Sequence, residues 1–218
     1  MDTKFYFLLF AILVLAVSGL TYGVLFLRRR NYLLGIEWLI VGFSGANFLA
    51  FFLSGNQSLY NVSYFFDAFS RGFGVPVIAV AGLLMLTHGY KPTLFAEIWL
   101  FVVSIVGAVV LVSSSSMLKP YFYVLMWTVY SIFLLYFVKR LLNAGEKFHA
   151  VVVSLALLTN QAIASIYDFY RIPGDSEQVI FYTLAGLSWS LNMAALYYAY
   201  RALERRNGRL LPAWAPRR

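Results

Sequence analysis

Long apolar stretches alternate with short polar or charged segments along the whole chain. Most of them approach the roughly 20 residues that an α-helix needs to cross the hydrocarbon core of a bilayer. The pattern therefore predicts an all-α fold, a polytopic membrane bundle of seven transmembrane helices that forms one domain over residues 1–200. The predicted spans are Phe5–Leu27, Leu33–Leu53, Gly72–Thr87, Thr93–Ser113, Tyr121–Val138, Phe148–Tyr170 and Val179–Tyr200.

The start of the third span has two interpretations. The preceding segment, Leu59–Arg71, is aromatic and helical in the spacing of its polar residues. It either extends the third helix or forms a separate interfacial helix that is joined to it at Gly72. In both cases Pro76 is expected to break or kink the helix, because proline has no backbone N–H and its ring collides with the preceding turn.

The distribution of basic residues predicts the orientation. Of the 17 Lys and Arg residues, only Lys4, Arg71, Lys119 and Arg171 fall on the side where the odd-numbered spans begin. Because cytoplasmic loops are enriched in Lys and Arg, we expect the amino terminus outside and the carboxyl terminus in the cytoplasm. Residues 201–218 then form a basic cytoplasmic tail. The net charge of +8 reflects this topology, so nucleic acid is not an expected partner.

Composition supports this class of protein and excludes several others. The chain is 61% hydrophobic and 12% charged, against about 25% charged residues in typical soluble domains. A soluble catalytic domain, a coiled coil and a disordered regulator are therefore excluded. The expected location is the bacterial inner membrane, with the lipid bilayer as the main partner. The absence of cysteine excludes disulfides and thiolate metal sites.

Neither a cofactor nor a metal is expected. The seventh span has no lysine to hold retinal, and two histidines are few for a zinc or haem site. The residues His88, His149, Glu37 and Glu97 lie near the cytoplasmic ends of their spans and are interpreted as solvated helix ends. The less favoured alternative is that they form a metal site or an acid/base pair in a lipid-modifying enzyme.

Some residues of the first three spans have counterparts in the last three spans at a nearly constant distance along the sequence. Lys4 and Lys119 precede aromatic span starts, and Asn47 and Asn160 lie within the second and sixth spans. This is typical of parallel three-helix repeats joined by an extra helix, a 3+1+3 plan found in transporters. Evenly spaced spans give the same offset, so both explanations stay open. In helix number and outside amino terminus the layout resembles that of the SWEET-type sugar carriers, and the resemblance rests on that layout alone.

Polar side chains within the spans mark the candidate site, because buried polar groups in a bilayer are costly. An indole beside hydroxyls and an amide, as at Trp189, can stack on a ring and hydrogen-bond its substituents. The alternative is that these groups hold neighbouring helices together. The candidate ligand-binding residues are Asn47, Asn160, Gln161, Tyr167, Trp189 and Asn192.

Two ion pairs are predicted at the outer interface. Asp67 with Arg71 and Asp168 with Arg171 have the spacing of neighbours on one helix face.

Near the middle of the second span, Gly42 begins a series of small residues that allows a close approach to another helix.

Two functions of different classes fit these features. The first is a carrier of an unidentified small molecule, with a polar site in the middle of the membrane. The alternative is a sensory or accessory module whose outer ion pairs bind a ligand, and which works with a partner protein or as a homo-oligomer. The lipid-modifying enzyme is the third and least favoured interpretation.

Overall fold

The computed structural model describes residues 3–90, 92–114, 117–175 and 177–210. Within these ranges every regular element is helical, and seven helices are long and apolar enough to cross a membrane. This confirms the prediction of an all-α chain with seven such helices. They are α1 Thr3–Leu27, α2 Tyr32–Ser54, α3 Gln57–Thr87, α4 Leu94–Ser113, α5 Lys119–Asn143, α6 Lys147–Ile166 and α7 Val179–Leu210.

Helix α3 begins well before the predicted start of its span at Gly72. It runs without interruption from Gln57, where the side chain of Asn56 accepts a hydrogen bond from the backbone N–H of Ser58 at 3.0 Å. The extension interpretation is therefore the correct one. Within α3, Ser70–Ala79 is π-helical and contains Pro76. The wider π turn accommodates the proline ring inside a continuous helix, which takes the place of the expected break.

Other predicted helix ends also differ from the structure, and helix α5 ends at Asn143, after the predicted end at Val138. Helix α6 ends at Ile166, before the predicted end at Tyr170. Helix α7 continues past Tyr200 to Leu210, so the first part of the predicted basic tail is helical. Residues 211–218 of that tail lie outside the described residues. The longer α7 follows from its composition, because residues 201–206 contain Ala, Leu, Glu and Arg, which favour a helix.

Six helices pack in a closed ring in the order α1, α2, α3, α5, α6, α7, and α7 packs back against α1. Helix α4 lies outside this ring and packs mainly against α3. The ring has a basic end, at Arg28–Arg30, Lys139–Lys147 and Arg201–Arg206, and an opposite end, at the α2–α3, α4–α5 and α6–α7 connections. Large apolar side chains fill its interior near the basic end: Phe26, Leu34, Leu83, Leu134, Leu141 and Leu203.

A buried asparagine secures the packing at the basic end. Asn31, at the start of α2, is fully buried. Its amide donates to the carbonyl of Gly82 in α3 at 2.8 Å, and its side-chain oxygen accepts from the N–H of Leu34 at 3.1 Å. The interior is therefore closed at this end, and unfilled space lies toward the opposite end.

At the opposite end, a buried carboxylate holds the start of α7. Asp175 is 1% exposed. Its Oδ1 accepts from the N–H of Val179 at 2.8 Å, and its Oδ2 accepts from the N–H groups of Ile180 at 2.9 Å and Phe181 at 3.2 Å. These donors have no partner within the helix, and a negative charge there also complements the helix dipole.

We expect Asp175→Ala to lower the free energy of unfolding by about 2 kcal/mol, the upper end of the range for a lost helix cap, because three N–H groups lose their acceptor. Unfolding in mild detergent with increasing dodecyl sulfate measures this. The control is Glu177→Ala, since Glu177 is 57% exposed and pairs with Lys4 at 3.3 Å, and exposed pairs contribute at most about 1 kcal/mol. Equal losses in both variants would contradict the capping role.

Candidate functional site

A cavity of about 260 Å³ lies inside the ring and is lined by residues from five of the six ring helices and by Tyr167 and Asp168, which directly follow α6. It begins at Trp38 and Met193, above the apolar packing of the basic end. Its walls reach the opposite end at Tyr60 and Tyr182. Tyr60 is itself 37% exposed, so this wall continues to the protein surface. The cavity therefore approaches the surface at the opposite end.

One side of the cavity is a stack of aromatic rings. The indoles of Trp127 and Trp189 are parallel to within 15°, with their centroids 6.3 Å apart. The ring of Tyr167 continues the stack on Trp189, at 6.0 Å and 17°. Because α5, α7 and the residue that follows α6 each supply one ring, the stack joins three parts of the ring and presents flat apolar surface to the cavity.

A buried arginine forms the next part of the wall. Arg71, in the π segment of α3, has its side chain 8% exposed and its guanidinium carbon 4.1 Å and 3.9 Å from the ring centroids of Tyr123 and Tyr167. It forms an ion pair with Asp168, and its Nη1 is 3.6 Å from Oδ2 of Asp67. The planar guanidinium is suited to both contacts, since it stacks on rings and pairs with carboxylates. These three charged groups together carry one net negative charge.

Residues of the cavity wall also include buried polar atoms with no partner in the described part of the protein. The indole nitrogens of Trp38, Trp127 and Trp189 and the hydroxyl oxygen of Ser70 are buried, and none of them has a hydrogen-bond partner there. All four residues line the cavity. Since nearly all buried polar groups in folded proteins are hydrogen-bonded, this group of donors fits a molecule that brings acceptor atoms into the cavity.

Three of the six candidate ligand-binding residues, Tyr167, Trp189 and Asn192, line this cavity. Asn192 lies on the same turn of α7 as Trp189, and its amide donates to the hydroxyl of Tyr130 in α5 at 3.1 Å. The polar segment of α7 identified from the sequence therefore faces the cavity.

The other three candidates do not line it. Asn47 donates to the carbonyl of Phe43 in its own helix at 2.8 Å, and Asn160 is 1% exposed and donates to the carbonyl of Ala156 at 2.6 Å. The side chain of Gln161 accepts from the hydroxyl of Ser131 at 2.6 Å, across the contact between α5 and α6. The contact of Gln161, and a longer one from the amide of Asn160 to the carbonyl of Ser188 in α7 at 3.5 Å, fit the alternative interpretation, in which polar groups hold helices together, whereas the contact of Asn47 stays within α2.

The charged residues pair differently from the prediction within the sixth span. Asp67 and Arg71 do approach each other at helical spacing. Asp168, however, pairs with Arg71 of α3, and among the described residues it has no ion pair with Arg171, which is exposed. The physical reason is that α6 ends at Ile166, so the two residues no longer lie on one helix face.

The sequence reasoning missed Trp38, Trp127 and Ser70 as parts of the wall. Both tryptophans lie several residues inside their predicted spans, too deep for the interfacial belt of aromatic residues. This depth is the signal that singled out Trp189, and it would have found them as well. Ser70 gives no such signal, because it precedes the predicted start of its span.

The four residues interpreted as solvated helix ends have different surroundings. Glu37 is 0% exposed and Glu97 is 9% exposed, so the interpretation is wrong for both carboxylates. His88 lies 3.0 Å from the hydroxyl of Thr87 through its Nδ1, and His149 lies 4.0 Å from Glu146. In the described ranges, no three His, Asp or Glu residues come together in a group that could hold a metal.

No protein-family model, curated protein or solved structure matches this chain. The cavity and the chemistry of its wall are therefore the features that point to a function. That wall combines stacked indoles, unpartnered donors and one arginine held between two carboxylates and two phenol rings.

Proposed function

We propose that this chain is an integral protein of the bacterial inner membrane, with its amino terminus outside, and that it carries a small solute with a flat ring face and several acceptor oxygen atoms. The observation that supports the solute class is the set of unpartnered donors, from Trp38, Ser70, Trp127 and Trp189, beside the stacked rings. A ring stacks on the indoles while its oxygen substituents accept from the N–H and O–H groups.

Other groups of the cavity complement such a solute. The amide of Asn192 and the carboxylates of Asp67 and Asp168 line the cavity and accept hydrogen bonds from hydroxyl groups. The volume of about 260 Å³ is near the lower limit of small-molecule pockets, which begin at about 300 Å³. The proposed solute is therefore a small one, with a single ring.

The position of the cavity supports transport. It lies between α1–α3 and α5–α7, which are the two halves of the 3+1+3 plan, and both halves contribute to its wall. Carriers built from such repeats place the substrate between the halves and expose it alternately to each side. Release toward the cytoplasm requires the basic end to open.

Ion pairs join neighbouring elements of the ring at this basic end. Arg29, after α1, pairs with Glu204 of α7, and Nε of Arg206 lies 3.3 Å from Oε1 of Glu146 in the α5–α6 connection. All four side chains are partly exposed, and such pairs contribute at most about 1 kcal/mol each. They are weak enough to break and re-form in each transport cycle.

A second candidate function is the sensory or accessory module. The observation that favours it is the continuity of α7, which runs from Trp189 and Asn192 at the cavity to Leu210 beyond the basic end. A ligand that moves α7 at the cavity also moves its far end, where a partner protein or a second copy would receive the signal. In this function the cavity never opens at the basic end.

Accessibility of a cysteine at position 192 separates the two functions. The chain has no cysteine of its own, so Asn192→Cys carries the only thiol, and a membrane-impermeant maleimide is added to each side of sealed vesicles. We expect labelling from both sides, because a carrier exposes its site alternately. Labelling from the outside alone would overturn the carrier proposal and favour the sensory module.

Matched controls come from the same chain. Asn160→Cys replaces the same residue type at a buried position that does not line the cavity, and it is expected to stay unlabelled from both sides. Gln57→Cys and Arg206→Cys report the two surfaces separately, since both residues are exposed at opposite ends of the ring and neither lines the cavity. Labelling of Asn160→Cys would mean that the vesicles leak or that the bundle is open, and that the result at position 192 does not support transport.

A further inference from the structure

The most unusual side chain outside the cavity wall is a carboxyl group in the interior of the ring. Glu37 lies in the second turn of α2 and is 0% exposed. Neither of its carboxyl oxygens has a hydrogen-bond partner, and it forms no ion pair in the described part of the chain. An isolated carboxylate in such surroundings is very costly, whereas the neutral acid is accommodated.

The π segment of α3 makes the space for this group. The carboxyl of Glu37 lies against Gly74, where any Cβ would overlap it. A larger residue at this point of the segment would force the carboxyl of Glu37 to move, and π turns of this kind are frequent at functional sites. The carboxyl of Glu37 therefore packs against α3 and is not a solvated group at a helix end.

One hydroxyl separates this carboxyl from the cavity. Ser70, in the turn of α3 before Gly74, lies close enough to Glu37 for the two side chains to form a hydrogen bond after a small movement. The same Ser70 lines the cavity. Ser70 is therefore the single side chain through which a change in the charge of Glu37 can alter the cavity wall.

The charged groups around Glu37 are few. Helix α2 has no other charged residue, and the only one in α1 is Lys4, which pairs with Glu177 at the opposite end. From α3, Asp67 and Arg71 belong to the ion-pair cluster with Asp168. Nothing in this set neutralises a negative charge on Glu37, so its charge state is set by whether it holds a proton.

We propose that Glu37 is a proton-binding site and that Ser70 couples it to the cavity, which makes the carrier proton-driven. The inference rests on the proposed carrier function. The chemical step is the dissociation of the carboxyl O–H: the proton leaves to water when the ring opens, and the electron pair stays on the carboxylate. The charged form then draws the hydroxyl of Ser70 toward α2 and away from the solute.

The first experiment detects the proton itself. Infrared spectra of the full chain, in vesicles of phosphatidylethanolamine and phosphatidylglycerol, are recorded across a pH series. We expect a carboxylic-acid C=O band from a buried group that disappears in Glu37→Gln and persists in the exposed control Glu177→Gln. Because Gln has nearly the shape of a protonated Glu, this variant is expected to fold. An unchanged band in Glu37→Gln would overturn the proton-binding site.

A second variant gives the same test by another route. Gly74→Ala crowds the carboxyl of Glu37 without removing it, so the frequency of its C=O band is expected to shift. A band that stays at the same frequency would mean that it does not belong to Glu37.

The second experiment tests the coupling. Outside labelling of Asn192→Cys is measured across the pH series and divided by that of the surface variant Gln57→Cys, which removes the intrinsic pH dependence of the thiol. We expect a pH-dependent ratio that becomes constant when Glu37→Gln is added. Ser70→Ala is expected to flatten the ratio and to keep the infrared band, because the proton still binds but no longer reaches the wall.

The outcomes distinguish the two proposals. Labelling of position 192 from one side only would end the carrier function, while the infrared band would still assign the proton to Glu37. A ratio that varies with pH equally in the parent and in Glu37→Gln would overturn the coupling, whatever the band shows.

Discussion

Replacement of Arg71 by leucine is expected to lower the free energy of unfolding by about 3 to 5 kcal/mol, the range for removing one partner of a buried ion pair. Its side chain is 8% exposed, and its charge lies between Asp67 and Asp168. Without it, two carboxylates remain close together and partly buried with no cation between them. The variant also removes the group that fills the space between the rings of Tyr123 and Tyr167.

Unfolding in mild detergent with increasing dodecyl sulfate measures this loss, and two further variants identify its cause. Arg71→Lys keeps the charge but not the planar group that stacks on two rings, so it is expected to recover only part of the stability. Adding Asp67→Asn and Asp168→Asn to Arg71→Leu removes the unpaired charges and is also expected to recover part of it. If the triple variant is as unstable as Arg71→Leu alone, the loss comes from packing and not from charge.

This cluster explains why the start of α3 was ambiguous in the sequence. Seven apolar stretches were predicted correctly, because a helix that contacts lipid must be apolar over its length. Arg71 interrupts that pattern, and the compensating charge of Asp168 comes from 97 positions farther along the chain. The local hydropathy of the sequence cannot predict an ion pair between residues so far apart along the chain. Pro76 likewise marked the right place, but its effect depends on whether the neighbouring helices accommodate a π turn.

The candidate site was predictable to the extent that depth within a span indicates function. Trp189 and Asn192 were found because an indole and an amide deep in a span are unusual, and both line the cavity. Asn47 and Asn160 have the same signal, yet each donates to a carbonyl of its own helix. The order in which the six helices pack determines which face of each helix points to the cavity. The spacing of asparagines along the sequence does not contain that order. For Glu37 the error was in the other direction. Its position near the start of a helix suggested contact with solvent, but its side chain is completely buried.

The close contact between α1 and α2 leads to the second large effect. A Cβ at Gly42 would lie 2.7 Å from the backbone nitrogen of Leu20, and one at Gly19 would lie 2.6 Å from the Cα of Gly42. These are backbone atoms, so no side-chain rotation can relieve the overlap. The small residues of the second span were predicted to allow a close helix approach, and at Gly42 they meet α1.

We expect Gly42→Leu to separate α1 from α2 and to lower the free energy of unfolding by about 3 kcal/mol or more, at or above the upper end of the range for overpacking. The same detergent titration measures it. The matched control is Ala162→Leu, which adds a similar side chain at an exposed position of α6 and is expected to change stability by less than about 0.5 kcal/mol. Gly42→Ala tests the geometry more finely, because a single methyl group already meets the backbone of α1.

The same displacement is expected to affect the cavity. Since Trp38 and Val41 of α2 line the cavity, a displaced α2 also widens it, and labelling of Asn192→Cys is expected to accelerate in Gly42→Ala. Stability and labelling unchanged in that variant would mean that the two helices are farther apart than the structure places them.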